Sequence, residues 1–396
     1  MQLLPHFPLH LNVVVLFGFT LLLGLISGEL ATRTSFLPRI SGYIAIGFLV
    51  GPSAFNIVTP TLLSGSRIFV DISLGLILFD LGRHLDFIWL RHDRSIILMS
   101  LTESCLTFLF IFFTLLIFHI PALYASLVAT IAIATSPAVA LMIADDLSSK
   151  GPVTRRTLIL TSLNNLFALI LFTILLPITQ THNLSFVIGY SAYRMFASIL
   201  LGMVIFLVAL CIGHFIGKRK ESQFVLYVGI VMFGIGISNV LNLSSMLTLF
   251  SLGVFVRNFN YKNILIEINF GWLAKMFIII LFMITGVHLQ LKGLFQATWI
   301  VLACILARSV AKSAGIWMFS KSSRLTSQQA WALCLALTPM AGLAVGMSNI
   351  ILDFNPTLGY QLMTIITTVI AVLNIIGPVA TQLAFVKSGE TIHQDN

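Results

Sequence analysis

Apolar runs of about 20 residues follow one another through almost the whole chain, separated by short gaps in which Lys and Arg collect. Inside hydrocarbon every backbone N–H and C=O must be paired within the protein, so only α-helices or closed barrels can span. Runs of this length suit helices, because a membrane strand needs only about half as many residues. The chain is therefore expected to be an all-α polytopic membrane protein. Its composition, 58% hydrophobic and 9% charged with a mean hydropathy of +1.03, lies outside the soluble globular range.

At about 20 residues per span, about thirteen segments can be drawn: 11–30, 38–58, 66–86, 95–119, 122–146, 157–178, 186–216, 222–241, 243–257, 271–291, 295–318, 328–351 and 360–386. The boundary between the eighth and ninth is the least distinct. Basic residues provide an independent check, since cytoplasmic loops are enriched in them. The odd-numbered gaps hold Arg33, Arg39, Arg83, Arg91, Arg94, Lys150, Arg155, Arg156, Lys218, Arg219, Lys220, Arg257, Lys262, Lys321 and Arg324, and the tail holds Lys387. The even-numbered gaps hold only Arg67 and Lys292. This alternation places the N-terminus outside and the C-terminus in the cytoplasm. Arg33 is the first basic residue, so the first run lacks the leader of a cleavable signal peptide and reads as a retained span. Residues 1–386 read as one membrane domain and 387–396 as a short cytoplasmic tail.

Topology accounts for the net charge of +9, and no nucleic-acid surface is needed. No Walker motif is present, which argues against ATP-driven transport by this chain. Gly229, Gly234 and Gly236 lie inside an apolar run and read as close-packing positions. The cysteines are scattered without C-x-x-C spacing, no histidine has partners at metal-ligand spacing, and no Ser-His-acid set converges. Neither a metal, a cofactor nor an enzymatic activity is expected.

Polar residues inside the spans carry the functional signal. Proline interrupts two of them, at Thr135-Ser136-Pro137 in the fifth and Thr338-Pro339 in the twelfth, and both helices should break there. An odd offset of spans reverses direction through the bilayer, so the breaks fit an inverted repeat whose discontinuous helices meet near the midplane. Counting from the cytoplasmic side at about 1.5 Å per residue places Asn164, Asn165, Glu103 and Lys312 about 12–13 Å deep, Thr135 to Pro137 and Thr338 about 15–16 Å, Asp80 about 9 Å and Arg308 about 20 Å. A buried Lys or Arg needs a carboxylate, carbonyl or water partner. Acids within the spans are few; Glu103 is the first choice to pair with Lys312, and Asp80 is the second acid.

Several pieces together resemble the membrane domain of the monovalent cation:proton antiporters, specifically their second family. These are Leu37-Pro38-Arg39-Ile40-Ser41-Gly42-Tyr43 with Gly47 and Gly51-Pro52, Leu74-Gly75-Leu76-Ile77-Leu78-Phe79, and Ala134-Thr135-Ser136-Pro137-Ala138 followed by Lys150-Gly151-Pro152. Later come Arg308 with Lys312, Leu337-Thr338-Pro339-Met340-Ala341-Gly342, and Gly377-Pro378 leading to Ser388-Gly389-Glu390. The resemblance implies a homodimer in the inner or plasma membrane in which two crossed broken helices, the fifth and twelfth spans, carry Na⁺ or K⁺ against protons. It further implies an ion-binding acidic residue on the sixth span, at the positions occupied here by Asn164 and Asn165.

That departure matters chemically. An amide does not titrate, so Asn165 cannot carry the proton, although its carbonyl can serve a cation beside Thr135. Proton coupling then needs Glu103 or Asp80. Two other readings keep the fold: a proton-uncoupled carrier or leak pathway, and a transport-dead membrane sensor or partner subunit.

Overall fold

A computed structural model describes residues 13–33, 37–58, 67–179, 184–260, 263–266, 271–287, 298–340, 342–354 and 356–391. The residues outside these ranges include Lys262 and Lys292 and the ends of the first, tenth and eleventh expected segments. Every expected segment carries a helix, and two carry a pair. In chain order the helices are α1 (Val13–Thr32), α2 (Arg39–Val50), α3 (Arg67–Arg83), the short α4 (Phe87–His92), α5 (Arg94–Ile117), α6 (Ala122–Ile133), α7 (Pro137–Asp146) and α8 (Pro152–Leu175). They continue as α9 (Leu184–Ile216), α10 (Lys220–Val240), α11 (Ser245–Phe259), α12 (Gly271–Val287), α13 (Thr298–Ser320), α14 (Ser327–Ala336), α15 (Gly342–Phe354) and α16 (Pro356–Lys387). Among the described residues there is no strand, and 8 segments are long and apolar enough to cross a bilayer.

The indistinct eighth–ninth boundary is a tight turn. Asn242 takes φ 55°, and Ser244 caps α11 by accepting from Leu247 N. Of the three glycines in α10, only Gly234 is a close-packing position, against Leu249; Gly229 and Gly236 face open space. The chemistry of an apolar glycine does not reveal which side of its helix is lipid-facing.

Close helix crossings use glycine where a side chain would collide. A Cβ on Gly82 would lie 2.2 Å from Phe250 O, and one on Gly253 would lie 2.1 Å from Phe79 O, so α3 and α11 meet backbone to backbone. Gly47 and Gly286 do the same for α2 and α12. The span offset that relates the two breaks carries the first pair of helices onto the second, so the inverted repeat is visible as two equivalent crossings.

The odd-numbered gaps converge on one face. Arg39 pairs with Asp146 at 3.4 Å, and Arg156 reaches both Asp93 (3.4 Å) and the carbonyl of Ser323 (2.9 Å). Arg83, Arg155, Lys218 and Arg257, from four different gaps, line a single cavity. The tail joins the same face: Glu390 accepts from Val153 N (2.6 Å), Thr154 N (2.8 Å) and the Thr154 hydroxyl (2.9 Å), and so caps the start of α8. Gly151 leaves room for that carboxylate, which lies where its Cβ would be.

Candidate functional site

Both proline breaks form as their local sequences dictate. Helix α6 ends at Ile133, Ala134 and Ser136 are extended, and Pro137 occupies the first turn of α7, where a missing N–H costs nothing. The Ser136 hydroxyl caps α7 by accepting from Val139 N at 3.4 Å. Helix α14 ends at Ala336, and the chain is non-helical through Thr338, Pro339 and Met340. The two breaks touch: Ser136 N donates to Pro339 O at 3.0 Å.

Each break leaves helix-end carbonyls without intrahelical partners, and the C-terminal end of α6 carries the negative end of its dipole. Two cations from α13 meet them. Arg308 donates from Nε to Ala132 O (2.9 Å), from Nη2 to Ala134 O (3.0 Å) and from Nη1 to Thr338 O (2.7 Å), so one guanidinium serves both breaks. One helical turn further along, Lys312 Nζ donates to Ile133 O (3.3 Å) and the Thr135 hydroxyl (3.2 Å). It also forms an ion pair with Glu103 Oε1, with side-chain exposures of 2% and 1%. A Cβ on Gly315 would lie 2.4 Å from Glu103 Cα, so α13 and α5 are in close backbone contact beside that pair.

On the opposite side lies α8. Asn165 spends its amide on one backbone residue: Thr135 N donates to Oδ1 (3.1 Å), and Nδ2 donates to Thr135 O (2.8 Å). Because the Thr135 N–H can only donate, this exchange fixes which way the amide points. Asn164 Oδ1 accepts from the hydroxyls of Ser100 (2.7 Å) and Ser104 (3.2 Å) on α5. Polar contacts therefore run from Glu103 through Lys312 and Thr135 to Asn165, and separately from its chain neighbour Asn164 to the serines on either side of Glu103. All of these side chains are buried.

The structure thus brings Glu103, Lys312, Arg308, Thr135, Asn164, Asn165 and the two breaks together. Thr338 contributes its carbonyl, while its hydroxyl donates back to Cys334 O. Asp80 stands apart. It pairs with Arg83 at 3.4 Å, with 32% of its side chain exposed, and lines a cavity of about 680 Å³ together with His84, Asp86, Arg155 and Lys218. Asp86 lies in that cavity between α3 and α4; burial pushes its carboxyl up, but hydrogen bonds from Arg257, Trp89 and Ile88 outweigh this and hold it below the ordinary range. The described residues contain no His, Cys, Asp or Glu group arranged to hold a metal ion.

Sequence reasoning missed Ser100, Ser104 and Gly315, and it named Glu390 only as part of a motif, without its capping role. The serines were detectable as small polar residues one turn apart around a buried acid. The partner of Glu390 was not, because it lies 236 residues away.

A search of curated proteins finds no match. Among solved structures, the chain is similar to that of the sodium proton antiporter MjNhaP1 from Methanocaldococcus jannaschii at pH 8, with a TM-score of 0.67 and 15% identity over 94% of this chain and 95% of that one. An electron-microscopy structure of the same antiporter gives a TM-score of 0.69 and 16% identity over 94% of each. At such identity the likeness shows the fold alone, with its crossed discontinuous helices. The family model for the sodium/hydrogen exchanger transmembrane region matches residues 18–387. With nearly its whole length matched, this multi-pass membrane chain belongs to the sodium/hydrogen exchanger transmembrane family.

Proposed function

We propose that the chain is a secondary active antiporter exchanging a monovalent cation, Na⁺ or K⁺, for protons, with Glu103 as the titrating carboxylate in place of an acid on α8. The observation that carries this reading is the buried Glu103–Lys312 pair set against the carbonyls of the crossed breaks. Unwound carbonyls at such breaks coordinate cations in secondary transporters. Here the protein's own ammonium occupies that position.

Exchange follows from the charge balance of this site. An additional unpaired positive charge at this depth costs several kcal/mol, so a cation settles beside the Glu103 carboxylate only as the pair's proton leaves from Lys312 Nζ and the neutral amine withdraws. Thr135 and the exposed carbonyl of Ile133 then face the cation. A proton returning to Glu103 removes the negative charge that held the cation and releases it, and its passage on to Lys312 restores the ion pair. Asn164 and Asn165 take no part in titration; they hold the break and the acid's helix in register. Asp80 is the second acid of this reading, paired with Arg83 in an outer cavity that Arg155, Lys218 and Arg257 also line.

Residues 1–386 form the transporting domain and 387–396 a cytoplasmic tail. The face where the basic gaps converge is cytoplasmic, which the excess of Arg and Lys there supports. The protein works as a homodimer, as the family resemblance implies.

The test is exchange in proteoliposomes, following internal pH while Na⁺ or K⁺ is applied. Glu103→Gln should reduce cation-driven proton movement to background. Unchanged exchange in that variant would remove Glu103 from the mechanism. Cation flux that persists without proton movement in the unaltered protein would favour an uncoupled carrier.

A further inference from the structure

Five buried side-chain atoms around the seam between α5 and α8 have no hydrogen-bonding partner in the protein: Glu103 Oε2 and Thr107 Oγ1 on α5, and Thr157 Oγ1, Thr161 Oγ1 and Asn164 Nδ2 on α8. Their residues are all 0% exposed. Leaving such a group bare costs about 1–3 kcal/mol, and so many along one seam point to a common partner. Thr154, Thr157, Thr161 and Asn164 recur at three- and four-residue intervals and so share one face of α8. Hydroxyls one turn apart are too distant to bond each other directly, whereas a bridging water needs only two to four polar partners.

The outer end of this row meets the surface. Thr154 Oγ1 donates to Glu390 Oε2 at 2.9 Å and so accepts from Ser149 Oγ at 2.7 Å. Ser149 and Thr154 line a cavity of about 560 Å³ with Lys150, Arg155 and Arg156. The inner end is Asn164, held by the serines that bracket Glu103. From Thr154 to Asn164 the helix rises about 15 Å.

We propose that this row is a water-filled proton path, distinct from the cavity lined by Asp80, running from Glu390 and Thr154 at the surface to Glu103. It rests on Glu103 being the titrating acid. A proton enters as hydronium in the surface cavity, passes by exchange of O–H bonds from water to water along Thr157 and Thr161, and ends on Glu103 Oε2; the reverse movement returns it. No cation needs to use the same route, because the row offers single hydroxyls rather than a shell of oxygens.

Two measurements test it. In a variant with its native cysteines replaced, Thr157→Cys and Thr161→Cys should react with Ag⁺, a thiol-seeking ion no wider than a water molecule, while Leu160→Cys, buried on the same helix among apolar side chains, should not. Equal and negligible reaction at all three would overturn the path. In proteoliposomes Thr161→Val, which keeps the shape and removes the hydroxyl, should slow proton uptake by about tenfold, equivalent to about 1.4 kcal/mol of barrier. Undiminished uptake would overturn it. If Glu103→Gln leaves exchange intact while Thr161→Cys still reacts, the path exists but its stated destination is wrong; that failure is distinguishable from a dry seam.

Discussion

Asn165 turns both ends of its amide toward the backbone of Thr135, while Asn164 beside it leaves Nδ2 without a protein partner. The same substitution should therefore have unequal effects at the two positions. Asn165→Asp loses the donor to Thr135 O and sets an oxygen against an oxygen, which should cost about 1–3 kcal/mol. Asn164→Asp forfeits no protein bond. Thermal unfolding in detergent should rank Asn165→Asp well below Asn164→Asp; equal melting temperatures would mean that the clamp on Thr135 does not matter for stability. The partner of Lys312 was legible in the sequence because a buried cation needs a counter-charge and acids in the spans were few. The partner of Asn165 was not, since any residue offers the same backbone N–H and C=O.

Among the helices, the crossing of α5 and α13 governs whether Glu103 and Lys312 meet. Gly315 lies one turn from Lys312, and an added Cβ there would meet Glu103 backbone at 2.4–2.7 Å. Rigid backbone cannot yield as a side-chain tip can, so Gly315→Ala should push the helices apart, costing about 1–3 kcal/mol. Exchange should fall with it. A Gly315→Ala protein with unaltered melting temperature and exchange would show that the contact is looser than described. At this scale the breaks were readable, since Ser136-Pro137 and Thr338-Pro339 carry their own cap and stop signals. Arg308 was readable as a buried cation, but not as the single group that bonds both breaks, because carbonyls at a helix end leave no mark in the residue types.

Across the whole molecule the spans were legible because bilayer thickness fixes their length and basic gaps alternate between its sides. The same alternation makes a prediction. Single cysteines placed at Ser148 and Ser388 should be labelled by an impermeant reagent only from the cytoplasmic side in right-side-out and inverted vesicles. Labelling of either from outside would reverse the orientation. Less legible were the helix crossings, since glycines that look alike in an apolar run are divided between contact and open space, as Gly234 and Gly229 are.

Glu390 caps α8 from 237 residues beyond Val153. During synthesis this means that the helix bearing both asparagines enters the membrane long before the residue that completes its first turn has been made. Until that residue arrives, the amides of Val153 and Thr154 must rely on water or lipid headgroups. A chain cut short of Glu390 would therefore keep every span and leave the first turn of α8 without its cap.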